Sequence, residues 1–215
     1  MKREARVVIV GGGVAGCSLL YHLAELGLTD AVLVEKNELT SGSTWHAAGL
    51  CTQFNASFNM MKLLQYSVEL YQTLETKTGQ AVDYHRCGSV RLATSEERLD
   101  EFRHRKGIAD TLGVPFEIVS PERASELFPL VDLDGVVGAA YLESDGHVDP
   151  NDVTQAFAKG AQAHGAEIVR HTAVTSIERS GGAWLVKTSK GEILAEIVVN
   201  AAGQWARELG RLVGI

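Results

Sequence analysis

A short apolar run, Arg6-Val7-Val8-Ile9-Val10, ends at Gly11-Gly12-Gly13-Val14-Ala15-Gly16, and this junction constrains the fold more than any other feature of the chain. Consecutive β-branched residues stopped by glycine read as a strand buried on both faces. Residues 14–27 then carry a helical period, with Leu19, Leu20, Leu23 and Leu26 on one face and Gly27 as the stop. A second buried strand follows at 31–35, AVLVE. Strand, helix and strand within about thirty residues make a βαβ unit with a right-handed crossover.

The glycine string fits G-x-G-x-x-G in the context that gives the pattern meaning: after a strand, opening a helix, with an acid at the end of the next strand. Gly11 permits the tight turn, Gly13 lets a pyrophosphate reach the backbone, and Gly16 lets helix and strand pack closely. Free N–H groups and the positive end of the helix suit an anion. Glu35 is placed to accept hydrogen bonds from the adenosine ribose hydroxyls, and its charge repels a 2′-phosphate, which argues against NADP. The motif fits NAD and FAD alike. Its bland alternative is a glycine turn with no ligand.

Six residues beyond Glu35 begins a small, hydroxyl-rich run, Ser41-Gly42-Ser43-Thr44-Trp45-His46-Ala47-Ala48-Gly49-Leu50. Its hydroxyls and amides can bond phosphate oxygens; a capped helix start is the competing reading. An amphipathic helix is predicted over 57–77, two short strands over 82–93 about Cys87-Gly88, a charged helix over 95–112 and a strand at 115–119. Ser120-Pro121 opens a short helix. A strand at 136–142 precedes Asp149-Pro150-Asn151-Asp152, an N-cap with proline at the first helical position. Strands follow at 167–171, 173–178, 183–188 and 193–199, with hairpin turns at Ser180-Gly181-Gly182 and Ser189-Lys190-Gly191, and a helix at 204–213 ends the chain. The expected organisation is a nucleotide-binding core formed by 1–79 and 150–215, interrupted by an α+β insertion at 80–149.

Composition narrows the function classes. With 20 basic against 27 acidic residues and a net charge of −7, the chain offers no footprint for nucleic acid. The basic run Arg103–Lys106 lies among acids on a helix. Three widely spaced cysteines, Cys17, Cys51 and Cys87, form no CxxC metal site and cannot all pair, which suits a reducing, cytoplasmic setting. No stretch approaches the ~18 apolar residues of a membrane span, and no metal cluster, Ser-His-Asp order or HExxH string occurs. His147 is explained by the neighbouring cap, Asp145 by loop structure, and Tyr84, His85 and Arg86 by a substrate pocket or an exposed strand edge.

Several segments together, GGGVAG (11–16), VEK (34–36), ELTSGSTWHAAGL (38–50), GSVRLATS (88–95), SDGHVDP (144–150) and VVNAAGQWARE (198–208), resemble the N-terminal part of FAD-dependent amine oxidoreductases of the D-amino-acid-oxidase superfamily, in its dimethylglycine and sarcosine dehydrogenase branch. The resemblance implies a Rossmann-type FAD-binding domain in an α/β fold. It implies covalent FAD attachment through His46, the histidine of STWHAAGL. A neutral imidazole nitrogen can add to the flavin 8α-methyl carbon once the flavin has tautomerised, and the link raises the flavin potential.

By the same carry-over Val14 and Ala15 meet the pyrophosphate, and Glu35 and Lys36 the adenosine. Ser43 and Thr44 flank them, and Trp45, His46, Ala47, Ala48 and Leu50 lie along the flavin. Val174 meets adenine through its backbone, or is an ordinary strand valine. Ala202 and Gly203 admit the cofactor, or make only a strand-to-helix turn. The implied reaction is oxidative demethylation of a secondary or tertiary N-methyl amine, with electrons leaving to an electron-transfer flavoprotein or oxygen. A same-fold enzyme for another amine or a hydroxyl substrate, or an FAD-holding module without turnover, are the alternatives. In such enzymes the FAD domain runs well beyond 215 residues, so the catalytic groups are expected past Ile215, and tetrahydrofolate enters only if a further C-terminal region exists.

Overall fold

The computed structural model describes residues 1–215. In chain order the elements are β1 (Glu4–Val10), α1 (Val14–Glu25), β2 (Ala31–Val34), β3 (Leu50–Cys51), α2 (Phe58–Thr78), β4 (Ser89–Ala93), α3 (Glu96–Leu112), β5 (Phe116–Val119), α4 (Pro121–Leu127), β6 (Gly138–Leu142), β7 (Gly146–His147), α5 (Pro150–Ala163), β8 (Glu167–Val169), β9 (Val174–Ser180), β10 (Ala183–Thr188), β11 (Gly191–Asn200) and α6 (Ala206–Arg211). Single 3-10 turns occupy Thr44–His46 and Gly203–Trp205. The chain forms two compact units: Met1–Ala48 with Leu74–Val82 and Asp149–Ile215, and Gly49–Thr73 with Asp83–Val148. Residues 49–73, expected with the nucleotide-binding core, thus belong with the second unit.

The first unit is built on a six-stranded sheet ordered β8-β2-β1-β11-β10-β9. β8, β2, β1 and β11 run parallel, and β10 and β9 extend the sheet as an antiparallel meander. The apolar runs form the central strands for the reason that their composition gives: Val8, Ile9, Val32 and Leu33 are fully buried. Val10 is in register with Val34 on one side and Asn200 on the other, so three strands end at one level. Chain order reverses at β1, the switch point at which ligands bind in such sheets. α1 packs on α5, where Gly160 makes room for Tyr21: a Cβ there would lie 2.7 Å from the Tyr21 ring. The Tyr21 and Phe157 rings meet at 5.3 Å.

The second unit pairs a three-stranded antiparallel sheet, β4-β6-β5, with a core around Phe54, Met61, Phe102, Phe116 and Leu142. Two of its helices begin on side-chain caps. Ser95 Oγ accepts from the Arg98 N–H, and Ser120 Oγ from the Arg123 N–H ahead of Pro121. The two strands expected over 82–93 are one. Residues 89–93 form β4, whereas 82–88 turn away at Gly88 (φ 72°), and His85 bridges to His147 instead. β8 ends at Val169, two residues early, because His171 takes a positive φ of 54° and turns the chain. No helix is long and apolar enough to cross a membrane.

Candidate functional site

The carboxyl ends of β1, β2 and β11 open into a cleft of about 490 Å³ lying wholly in the first unit. Gly11, Gly12, Gly13, Val14 and Ala15 line it, and Gly11 and Gly12 each have a steric reason. Gly11 holds φ at 119°, and a Cβ there would lie 2.3 Å from the Ala201 carbonyl oxygen. A Cβ at Gly12 would meet the Leu39 side chain at 2.6 Å and Glu35 Cβ at 2.9 Å. Gly16 does not line the cleft. It lies beneath it, where a Cβ would sit 2.0 Å from the Gly11 carbonyl oxygen, so it sets the approach of helix to strand as predicted.

α1 starts at this turn with Gly13 as N-cap, no side-chain cap and no acid in its first turn. The acid-free first turn leaves the positive end of the helix for an anionic ligand. The Val14 N–H donates to Thr44 Oγ1 at 3.0 Å, which draws the hydroxyl-rich loop over the helix start. Ser41, Gly42, Ser43 and Thr44 line the cleft. Thr40, just before them, takes a φ of 67°. Its N–H donates to the Gly12 carbonyl at 3.0 Å and its hydroxyl to Asn151 Oδ1 at 2.7 Å. A β-branched residue in that conformation needs such over-determination.

Glu35 stands just past β2 on the cleft wall. Its Oε2 accepts from the Gly12 N–H at 2.7 Å and its Oε1 from the Asn37 N–H at 2.8 Å, so the carboxylate is held before any ribose arrives. Lys36 lines the cleft beside it, its Nζ 3.4 Å from the Trp205 ring centroid. Beside them Thr172 to Thr175, including Val174, form a second wall, and Ala201 to Trp205, including Ala202 and Gly203, a third. The chemistry of this donor set suits a dinucleotide: backbone amides at a helix start, hydroxyls beside them, and a carboxylate one strand away. Beneath the glycine turn, burial and then the Glu35 charge push the Cys17 thiol up to about 12, so it stays protonated and unreactive.

Trp45, His46, Ala47 and Ala48 follow the lining loop but are exposed and do not wall the cleft. The Trp45 and His46 rings meet at 3.8 Å between centroids, tilted by 32°. Leu50 belongs to the second unit, 75% exposed. Sequence reasoning missed Thr172, Gln204, Trp205, Glu208, Leu209 and Leu212 as lining residues. Trp205 lay inside a segment that was singled out. Leu209 and Leu212 carry only an apolar helical spacing, which reads as core.

The tempting residues of the second unit are engaged with their own chain. The Tyr84 hydroxyl donates to the Ser144 carbonyl at 3.0 Å, His85 Nε2 pairs with Asp83 at 2.8 Å, and Arg86 pairs with Glu143 at 2.9 Å. Asp145, 1% exposed, accepts from the Thr52 hydroxyl, the Gln53 N–H and the Ser89 hydroxyl at 2.9, 2.9 and 2.6 Å, which makes it a tie between loops. In the first unit Asp149 Oδ1 accepts from the Asn151 and Asp152 amides, the expected N-cap.

Sheet order, glycine turn, acid-free helix start and the Glu35 carboxylate define a Rossmann-type dinucleotide-binding unit. The sequence profile of the FAD dependent oxidoreductase family matches residues 6–215, and the chain belongs to that family. It is 46% identical over 215 residues to rat (Rattus norvegicus) dimethylglycine dehydrogenase, covering all of this chain and 25% of that protein. To a 4-methylaminobutanoate oxidase (formaldehyde-forming) of Paenarthrobacter nicotinovorans it is 40% identical over 213 residues, 99% of this chain and 26% of the other. The L-proline dehydrogenase structure from P. horikoshii superposes with a TM-score of 0.92 at 30% identity, over all of this chain and 57% of that one. The chain therefore spans about a quarter of the length of these curated relatives.

Proposed function

We propose that this chain is the FAD-holding portion of an enzyme that oxidatively demethylates a secondary or tertiary N-methyl amine of the dimethylglycine or sarcosine type. The observation that carries the reading is the cleft: a dinucleotide-shaped donor set in a chain 46% identical to a dimethylglycine dehydrogenase. FAD, when bound, supplies the hydride acceptor for the N-methyl carbon, and the resulting iminium yields formaldehyde by hydrolysis or passes its carbon to tetrahydrofolate. The electrons leave to an electron-transfer flavoprotein or oxygen.

The chain's own residues hold and orient. The Gly13–Ala15 backbone and the Ser43 and Thr44 hydroxyls receive the pyrophosphate, and Glu35 and Lys36 receive the adenosine beside Val174. Ala202 and Gly203 leave room at the third wall. His46 is the covalent tether to the flavin, its imidazole exposed and oriented by Trp45. Chain made with FAD available, then denatured and washed, is expected to keep flavin fluorescence on its band, and His46→Ala to lose it while native protein still binds FAD. Loss of all flavin from the washed wild-type band overturns the tether. Bleaching of the ~450 nm flavin band on adding dimethylglycine supports turnover; an unchanged band assigns the chain dinucleotide holding without turnover.

A further inference from the structure

We infer that Glu38, outside the cleft, is a positioning residue that holds the adenosine wall in its binding shape; the inference rests on the dinucleotide reading above. The wall from Thr172 to Thr175 leaves a turn in which His171 adopts a φ of 54°. A histidine in the left-handed region persists only where its surroundings hold it there. Glu38 supplies that hold with one carboxylate and two bonds: Oε2 accepts from Arg170 Nη1 at 2.7 Å, and Oε1 meets His171 Nε2 at 2.8 Å. The backbone stitches the same two segments together, with the His171 N–H on the Asn37 carbonyl at 3.2 Å and the Thr172 N–H on the Glu35 carbonyl at 2.8 Å. Glu38 thus binds the strained turn to the loop that carries Glu35, and the two walls that face adenosine are set by one clamp.

The clamp is exposed, its three side chains each between 56 and 61% accessible. Surface ion pairs add little to global stability, so removing this one is expected to change the shape of the wall rather than the stability of the chain. That separation makes the role testable. ADP, which carries adenosine and pyrophosphate and cannot be tethered through the flavin, is titrated by calorimetry into the 215-residue apo chain.

Glu38→Ala is expected to raise the ADP Kd about three- to fivefold while the ligand-free melting temperature moves by less than about 2 °C. Glycine adopts the turn without strain. In a His171→Gly background, therefore, Glu38→Ala is expected to cost no more than about twofold. An unchanged Kd in Glu38→Ala overturns the positioning role, as does an equal loss in both backgrounds. A wild-type chain that binds neither ADP nor FAD overturns the dinucleotide reading itself, and the clamp with it.

Discussion

Gly16 shows how far a single residue's chemistry reaches. Adding one methyl group there would place carbon 2.0 Å from the Gly11 carbonyl oxygen, a backbone atom that no rotamer change can remove. Gly16→Ala is therefore expected to destabilise the chain by about 2–4 kcal/mol, measured by urea denaturation, and to abolish FAD retention, because relief of the clash lifts α1 away from β1. This glycine was legible in the sequence because the reason for it is local: strand, turn and helix fix the geometry within a dozen residues. The reason for Gly12 was not legible, since it lies in contacts with Glu35 and Leu39 that only the folded sheet creates. Asp145 is the same lesson at larger sequence separation. It read as an ordinary loop acid, yet its buried carboxylate receives donors from residues 52, 53 and 89. Asp145→Ala leaves its donors without that acceptor and is expected to cost about 3 kcal/mol, against well under 1 kcal/mol for Asp134→Ala on an exposed turn, in the same denaturation series.

Elements were legible where their signals lie inside the element. The helix starts at Ser95, Ser120 and Asp149 carry side-chain caps in the structure, and the buried strands fall where β-branched runs stand. β3 and β7 were not legible. They are two residues each and exist only because Leu50 faces His147 and Cys51 faces Gly146 across the sheet, a pairing that no local pattern encodes. The expected strand at 82–86 failed for the same reason, its one bridge going to residue 147. The wall formed by the end of the chain was hidden differently: Leu209 is 9% exposed and packs in the core of the first unit while also bordering the cleft, so its apolar spacing told only half its role. At this scale the cap on α5 gives a clean test. Asp149→Ala removes the acceptor for two helix amides and is expected to cost about 1 kcal/mol, seen as a lower melting temperature, while Asp149→Asn or Asp149→Ser recovers most of the loss.

On the proposed reading, ligand binding in the first unit adds to the stability of the fold, and Cys17 reports on that link. Its thiol is fully buried under the glycine turn, shares the Gly12 carbonyl at 3.7 Å, and is pushed up to about 12, whereas Cys87 is exposed. Native protein at pH 8 is therefore expected to react with a thiol reagent at Cys87, while Cys17 and Cys51, the latter pushed up to about 11 by burial and then by Asp145, wait for opening of the fold. The raised values carry a sign. The unfolded thiol ionises near its ordinary value and the folded one only well above it, so the contribution is intact below about pH 9 and is lost as pH rises towards the folded value, at up to about 1.4 kcal/mol per pH unit for each thiol. Stability should fall on the alkaline side, and Cys17→Ala should flatten that slope, as read from urea midpoints between pH 8 and 10.5. Ligand acts in the opposite direction. Under the proposed dinucleotide reading, ADP at a hundred times its Kd is expected to add about 2.7 kcal/mol to the folded state of the first unit. Labelling of Cys17, followed by mass spectrometry at pH 8, should then slow about a hundredfold. An unchanged Cys17 rate at saturating ADP would show that the nucleotide does not stabilise the unit whose glycine turn covers that thiol, and would remove the cleft from its place at the centre of this protein's function.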